Sequence, residues 1–143
     1  MAHYELNLFA DYFQFYIQDD DTVFGDLSDA WSQSAVENLL ATSDHGLGIG
    51  TVRNMDVPVF VEVLESLPNL NPAEWDKINI ASIDCDTGRL VIAGCTEYFP
   101  EAQRIPVNPG RYQVVIGYKG LDTLSADKLD GQDSYHLFIA PAG

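Results

Sequence analysis

Ile78-Asn79-Ile80-Ala81-Ser82-Ile83-Asp84-Cys85 runs into Asp86-Thr87-Gly88 and leaves it as Arg89-Leu90-Val91-Ile92-Ala93-Gly94-Cys95. Both arms are rich in β-branched residues, and the Gly of the three-residue connection supplies the positive φ that a tight turn wants. The stretch is predicted to form a β-hairpin. In that hairpin Cys85 stands beside the turn and Cys95 several pairs away, beyond the ~7 Å Cα separation a disulfide tolerates. Both cysteines are therefore expected as reduced, buried, inert thiols.

Outward from the hairpin, strand signals dominate. Residues 12–18 alternate, with Phe13, Phe15 and Ile17 on one face and Tyr12, Gln14, Tyr16 and Gln18 on the other, the period-2 pattern of a half-buried strand. Residues 57–64 place Val57, Val59, Val61 and Val63 inward, with Pro58 marking a strand start or edge. Val107-Asn108-Pro109-Gly110 is a turn leading into a strand over 111–118, and the last strand falls at 134–140. Further strands are expected at 5–9, 47–52 and 103–107.

Trp31, Ala35, Val36, Leu39 and Leu40 follow helical spacing, so a helix is predicted from Ser28 or Asp29 to about Ala41, capped by Ser28 and ended by Thr42-Ser43-Asp44-His45-Gly46. A short helical turn is expected at 72–77 with Pro72 at its first position. Strands and helices do not alternate, which disfavours a parallel βαβ architecture. The sequence predicts a mainly β protein, an antiparallel β-sandwich of about eight or nine strands with one inserted α-helix, as a single domain over residues 1–143.

The 143 residues hold 7 Lys+Arg against 22 Asp+Glu, a formal net charge of −15. That balance excludes direct binding of nucleic acid, which needs clustered cations to neutralise phosphates, and adsorption to an anionic membrane. Hydrophobic residues make up 46%, enough for a sizeable core, so the charge does not signal a disordered tail. Residues 1–52 contain nine acids and no Lys or Arg, so the negative field is expected to be strongest where the N-terminal third is exposed. The start lacks the cationic and apolar pattern of a secretory signal, and a cytoplasmic location is the expectation.

Motifs for catalysis or metal binding are weak. Adjacent carboxylates in Asp19-Asp20-Asp21 point in opposite directions on an extended chain, and Asp127, Asp130 and Asp133 around Gly131 lack the spacing and closing Glu of a calcium loop. His3 lies in the terminus, His45 in a loop and His136 in a strand, with no ligand-like spacing between any two. Gly46-Leu47-Gly48-Ile49-Gly50 lacks the Lys and the helix of a phosphate cradle, so its glycines fit close packing in a strand instead. No catalytic residue, metal site or cofactor is expected. A metal-dependent enzyme built on Asp84, Asp86 and His136 is the weakest alternative. A small-ligand or carbohydrate-binding sandwich, with a pocket lined by Tyr12, Tyr16 or Tyr118, is a stronger one.

Several landmarks together carry a family likeness. They are Phe13-Gln14-Phe15-Tyr16-Ile17-Gln18-Asp19, Leu27-Ser28-Asp29-Ala30-Trp31, Gly48-Ile49-Gly50-Thr51-Val52-Arg53-Asn54 and Ile105-Pro106-Val107-Asn108-Pro109-Gly110-Arg111-Tyr112-Gln113-Val114. In this order the chain resembles competence protein J, the small inhibitor of a bacterial nuclease of DNA uptake. The resemblance implies a β-sandwich that binds a small nuclease and blocks it, without catalysis or cofactor.

Independently of the likeness, the charge asymmetry fits two readings equally: a surface charge that keeps the protein in solution, or a face for a basic protein partner, because carboxylates on a rigid scaffold imitate phosphates and speed association. The contact candidates are Asp19, Asp20, Asp21, Asp26 and Asp29 around the strand-to-helix loop, with Tyr16 as an aromatic anchor; Trp31 is a second aromatic, more often core. An exposed sheet edge offers a route to a homodimer.

Overall fold

The computed structural model describes residues 2–10, 13–20, 31–43, 45–94, 101–127 and 129–142. In chain order these form β1 (Ala2–Phe9), β2 (Gln14–Asp19), α1 (Gln33–Asn38), β3 (Leu40–Ser43), β4 (Gly46–Gly50), β5 (Asp56–Val63), a 3-10 turn (Pro72–Glu74), β6 (Lys77–Cys85), β7 (Arg89–Gly94), β8 (Gln103–Pro106), β9 (Gly110–Lys119) and β10 (Ser134–Pro141). Two five-stranded sheets result: sheet A in the order β1-β5-β10-β9-β6 and sheet B in the order β3-β4-β2-β7-β8. Neighbours pair antiparallel except β5 and β10, which are parallel.

The alternating apolar positions meet between the sheets. Phe15, Ile17, Leu47, Ile49, Leu90 and Ile92 of sheet B face Val57, Val59, Val61, Val114, Ile116, Leu137 and Ile139 of sheet A, all fully buried. Each such side chain contributes about 1.5–3 kcal/mol on burial, and a one-residue slip would turn a whole row outward, so alternation sets the register. The expected mainly β sandwich is the fold.

Several local expectations change. The stretch 78–94 is not a hairpin: β6 pairs with β9 in sheet A, whereas β7 pairs with β2 and β8 in sheet B. The Asp86-Thr87-Gly88 turn therefore carries the chain across the core, with Gly88 at φ 81° as its sequence required. Both hydrogen-bonding sides of β7 are occupied by other strands, leaving none for β6.

The helix is six residues long, capped by Ser32 Oγ accepting from the Ala35 N–H. Leu39 leaves it in the left-handed conformation (φ 58°) because its carbonyl accepts from the Tyr118 hydroxyl and the Gly50 N–H. Residues 40–43 then become β3 rather than the end of a helix. Ser28 and Asp29 lie outside the described residues. Phe13, expected inward, sits at φ 59° and is exposed.

Pro58 is in a central strand, but pairing with β10 begins at Val59, so the missing donor falls where β5 has only β1 beside it. His3 is part of β1, opposite Glu62.

The outer face of sheet A is unusually aromatic. Trp75, placed by the 3-10 turn, lies on Gly117, where a Cβ would stand 2.5 Å from ring carbons. Its edge meets His136 and Phe138, and His136 stacks on Phe60 at 4.7 Å. Gly117→Val is expected to expel Trp75 and destabilise the fold by about 2 kcal/mol, read from the urea midpoint.

Burial first, and the Lys119 charge second, press the His136 imidazole down to about 4. An unfolded His takes up its proton near pH 6.5, so stability present above that pH is lost progressively as the pH falls to about 4. His136→Gln should remove that component of the acid limb in denaturation curves collected between those limits.

Candidate partner-binding surface

Asp19 ends β2 at 1% exposure. Its carboxylate holds the β6–β7 crossover: Oδ2 accepts from the Asp86 N–H at 2.8 Å, and Oδ1 accepts from the Thr87 hydroxyl at 2.6 Å and the Thr87 N–H at 3.3 Å. Burial works to raise its pKa, but these hydrogen bonds together outweigh it and hold the carboxyl below the usual aspartate value. The same pocket contains Cys85, a buried free thiol whose pKa burial pushes up, in keeping with an inert cysteine. Cys95 lies outside the described residues.

Asp20 bridges two arginines, accepting from Arg89 Nε at 2.7 Å and Arg104 at 3.1 Å. The Arg89 hydrogen bond is the chief reason its carboxyl is held low. Asp19 and Asp20 thus carry internal structural contacts. Asp21, Asp26 and Asp29 lie outside the described residues.

Tyr16 stands on the outer face of sheet B, half-buried, and Trp31 lies beside it across Gly48. A Cβ at Gly48 would stand 2.7 Å from Trp31 Cζ2 and 3.3 Å from Tyr16 Cε1, so the glycine makes room for the ring pair. Two donors on this side, Trp31 Nε1 and Gln18 Nε2, are buried without an acceptor. Sequence reading took residues 12–18 as a half-exposed strand and so missed that Gln18 is itself buried.

At the rim of the Asp19 pocket, His45 Nε2 is 2.9 Å from Asp86 Oδ2, and this bond is the chief cause of a raised imidazole pKa. Asp19, His45 and Asp86 offer ligand atoms within 4.8 Å of one another, the one such trio among the described residues. Both Asp19 oxygens already accept N–H or O–H groups, so the trio is a lock between the β3–β4 turn and the β6–β7 crossover.

The alternatives fare differently. Asp84 pairs with Arg111 and Asp86 with His45, while His136 is in register with Gly117 and Ile78. Six residues of β6 separate Ile78 from Asp84, about 20 Å at strand spacing, so Asp84, Asp86 and His136 do not converge. Tyr118 is a core residue, its hydroxyl donating to the Leu39 carbonyl and accepting from Asn79 Nδ2, and it lines no pocket with Tyr16. Tyr12 lies outside the described residues. In the 127–133 loop Asp127 accepts from Ser125 and the Leu129 N–H, whereas Asp133 is buried against Arg53. These carboxylates do not surround a common point.

What the geometry defines is a two-sheet β-sandwich whose buried aspartates tie crossovers and whose acidic surplus is left for the surface. Two solved structures share that fold. One is ComJ from Bacillus subtilis, the inhibitor of the DNA-degrading activity of NucA: TM-score 0.73 at 16% identity, over 99% of this chain and 96% of that one. The other is the product of crocagin biosynthetic gene J: TM-score 0.66 at 19% identity, over the whole of both chains. No protein-family model and no curated protein sequence matches the chain. No helix among the described residues is long and apolar enough to cross a membrane.

Proposed function

We propose that this protein is a non-catalytic, inhibitor-type binding protein whose partner is a basic nuclease. The observation that carries the reading is the end-to-end structural likeness to ComJ, an inhibitor of a DNA-degrading nuclease. The −15 charge supports it, since a carboxylate-rich face attracts the same cationic groove that receives DNA phosphates.

Asp19 and Asp20 are engaged internally, so the contact acids of this reading are Asp21, Asp26 and Asp29. Tyr16 and Trp31 are the aromatic anchors. The proposed site of action is the cytoplasm.

A pull-down from the native lysate at low and at high salt tests the partner. A nuclease recovered at low salt and released as salt rises is the expected result; a set of bound proteins without a nuclease at either salt contradicts it.

A further inference from the structure

We propose that the outer face of sheet A carries a second binding site, for a small aromatic carboxylate. The four arginines are each matched by an aspartate: Arg53 by Asp133, Arg89 and Arg104 by Asp20, and Arg111 by Asp84. Among the described residues Lys77 and Lys119 alone of the cations lack an acidic partner. In a chain of net charge −15, Lys77 is among the residues lining one apolar groove and Lys119 stands over Trp75, a wall of the same groove.

That groove encloses about 520 Å³ and is lined by Pro68, Pro72, Trp75 and Ile80, with Asp76 and Lys77 at its rim. The volume falls in the range of small-molecule sites. Ile80 is 63% exposed, the largest exposure among the big hydrophobic residues described. Lys119 Nζ sits 4.4 Å from the centre of the Trp75 ring, so one ammonium is held at the aromatic wall. The Asp76 carboxylate accepts from the Leu121 N–H and is thereby committed to the neighbouring turn.

An apolar slot of proline and tryptophan surfaces takes a flat ring, and the Lys119 ammonium held at its Trp75 wall takes an anion. A ring bearing a carboxylate satisfies both. The site lies on the sheet opposite the one carrying Tyr16 and Trp31, and it does not depend on the nuclease reading.

The test is calorimetric titration of the full chain with 2-naphthoate, 2-naphthalenemethanol and 2-naphthylmethylamine, at low salt. Naphthoate is expected to bind at least tenfold more tightly than the alcohol, and the amine more weakly than either. Ile80→Asp, at an exposed position that leaves the fold intact, should weaken naphthoate at least tenfold. Lys119→Met, which keeps the stem over Trp75, should bring acid and alcohol to equal affinity. Equal binding of all three probes, no binding at millimolar concentration, or naphthoate binding unaffected by Ile80→Asp would overturn the proposal.

Discussion

Asp133→Ala is expected to destabilise the protein by about 3–5 kcal/mol, because it removes one partner of a buried charge pair and leaves the other uncompensated. The Asp133 side chain is fully buried and its Oδ1 is 2.9 Å from Arg53 Nε. That contact is electrostatic: the Arg53 Nε–H is not aligned on Oδ1, although the distance is short. Oδ2 accepts from the Tyr135 hydroxyl at 2.7 Å, and the same hydroxyl accepts from the Val52 N–H at 2.9 Å. This network ties the segment between β4 and β5, where the chain passes from sheet B to sheet A, to the start of β10. Tyr135→Phe removes the hydroxyl alone and should destabilise by about 1–3 kcal/mol, the range for leaving buried groups unsatisfied. Urea denaturation of the three proteins measures both. An Asp133→Ala midpoint equal to that of the parent would refute the assignment.

The second large effect is expected at the opposite end of β2. Asp19→Ala strips the acceptor from two backbone N–H groups and the Thr87 hydroxyl at the β6–β7 crossover. The Thr87 hydroxyl keeps the Arg89 carbonyl as an acceptor, so the loss is that of two part-buried N–H groups, about 2–4 kcal/mol in total. Asp19→Asn keeps the volume and should lose less, whereas Asp86→Asn, at an exposed side chain, should leave the urea midpoint in place.

The pH dependence has a definite sign. The carboxyl pKa is lower in the folded than in the unfolded protein, so its contribution is present above the unfolded value of about 4 and disappears as the pH falls through the folded one. The acid limb of Asp19→Asn should therefore be shallower than that of the parent. Equal acid limbs would mean that the carboxylate charge is not what the crossover uses.

These two aspartates also mark the limit of what was legible in the sequence. Alternation is a local signal, and it located the β2, β5, β6, β7, β9 and β10 segments because burial of one face imposes it. Neither the assignment of β6 and β7 to different sheets nor the buried state of Asp19 is local. Asp-Thr-Gly reads the same whether its flanking strands pair with each other or cross the core, and the group that holds it lies 67 residues earlier. Asp19 reads as surface because it opens a run of three acids. Arg53, whose guanidinium also reaches the Asp133 carbonyl, is 80 residues away from it.

The short β3 was hidden for a different reason. Leu39 and Leu40 complete a helical pattern that begins at Trp31, and only the capture of the Leu39 carbonyl by Tyr118 and Gly50 turns the chain out of the helix. Of the candidate contact residues, the sequence placed Tyr16 on the outer face of β2. It did not distinguish acids that bind the chain's own turns and arginines from acids left for a partner.

The central claim is that this sandwich arrests a nuclease by binding it. The most direct measurement is the rate of DNA degradation by the nuclease captured from the native lysate, titrated with the purified protein. The account predicts that degradation stops near one equivalent and resumes as salt is raised. Degradation at an unchanged rate in tenfold excess of the protein would contradict it.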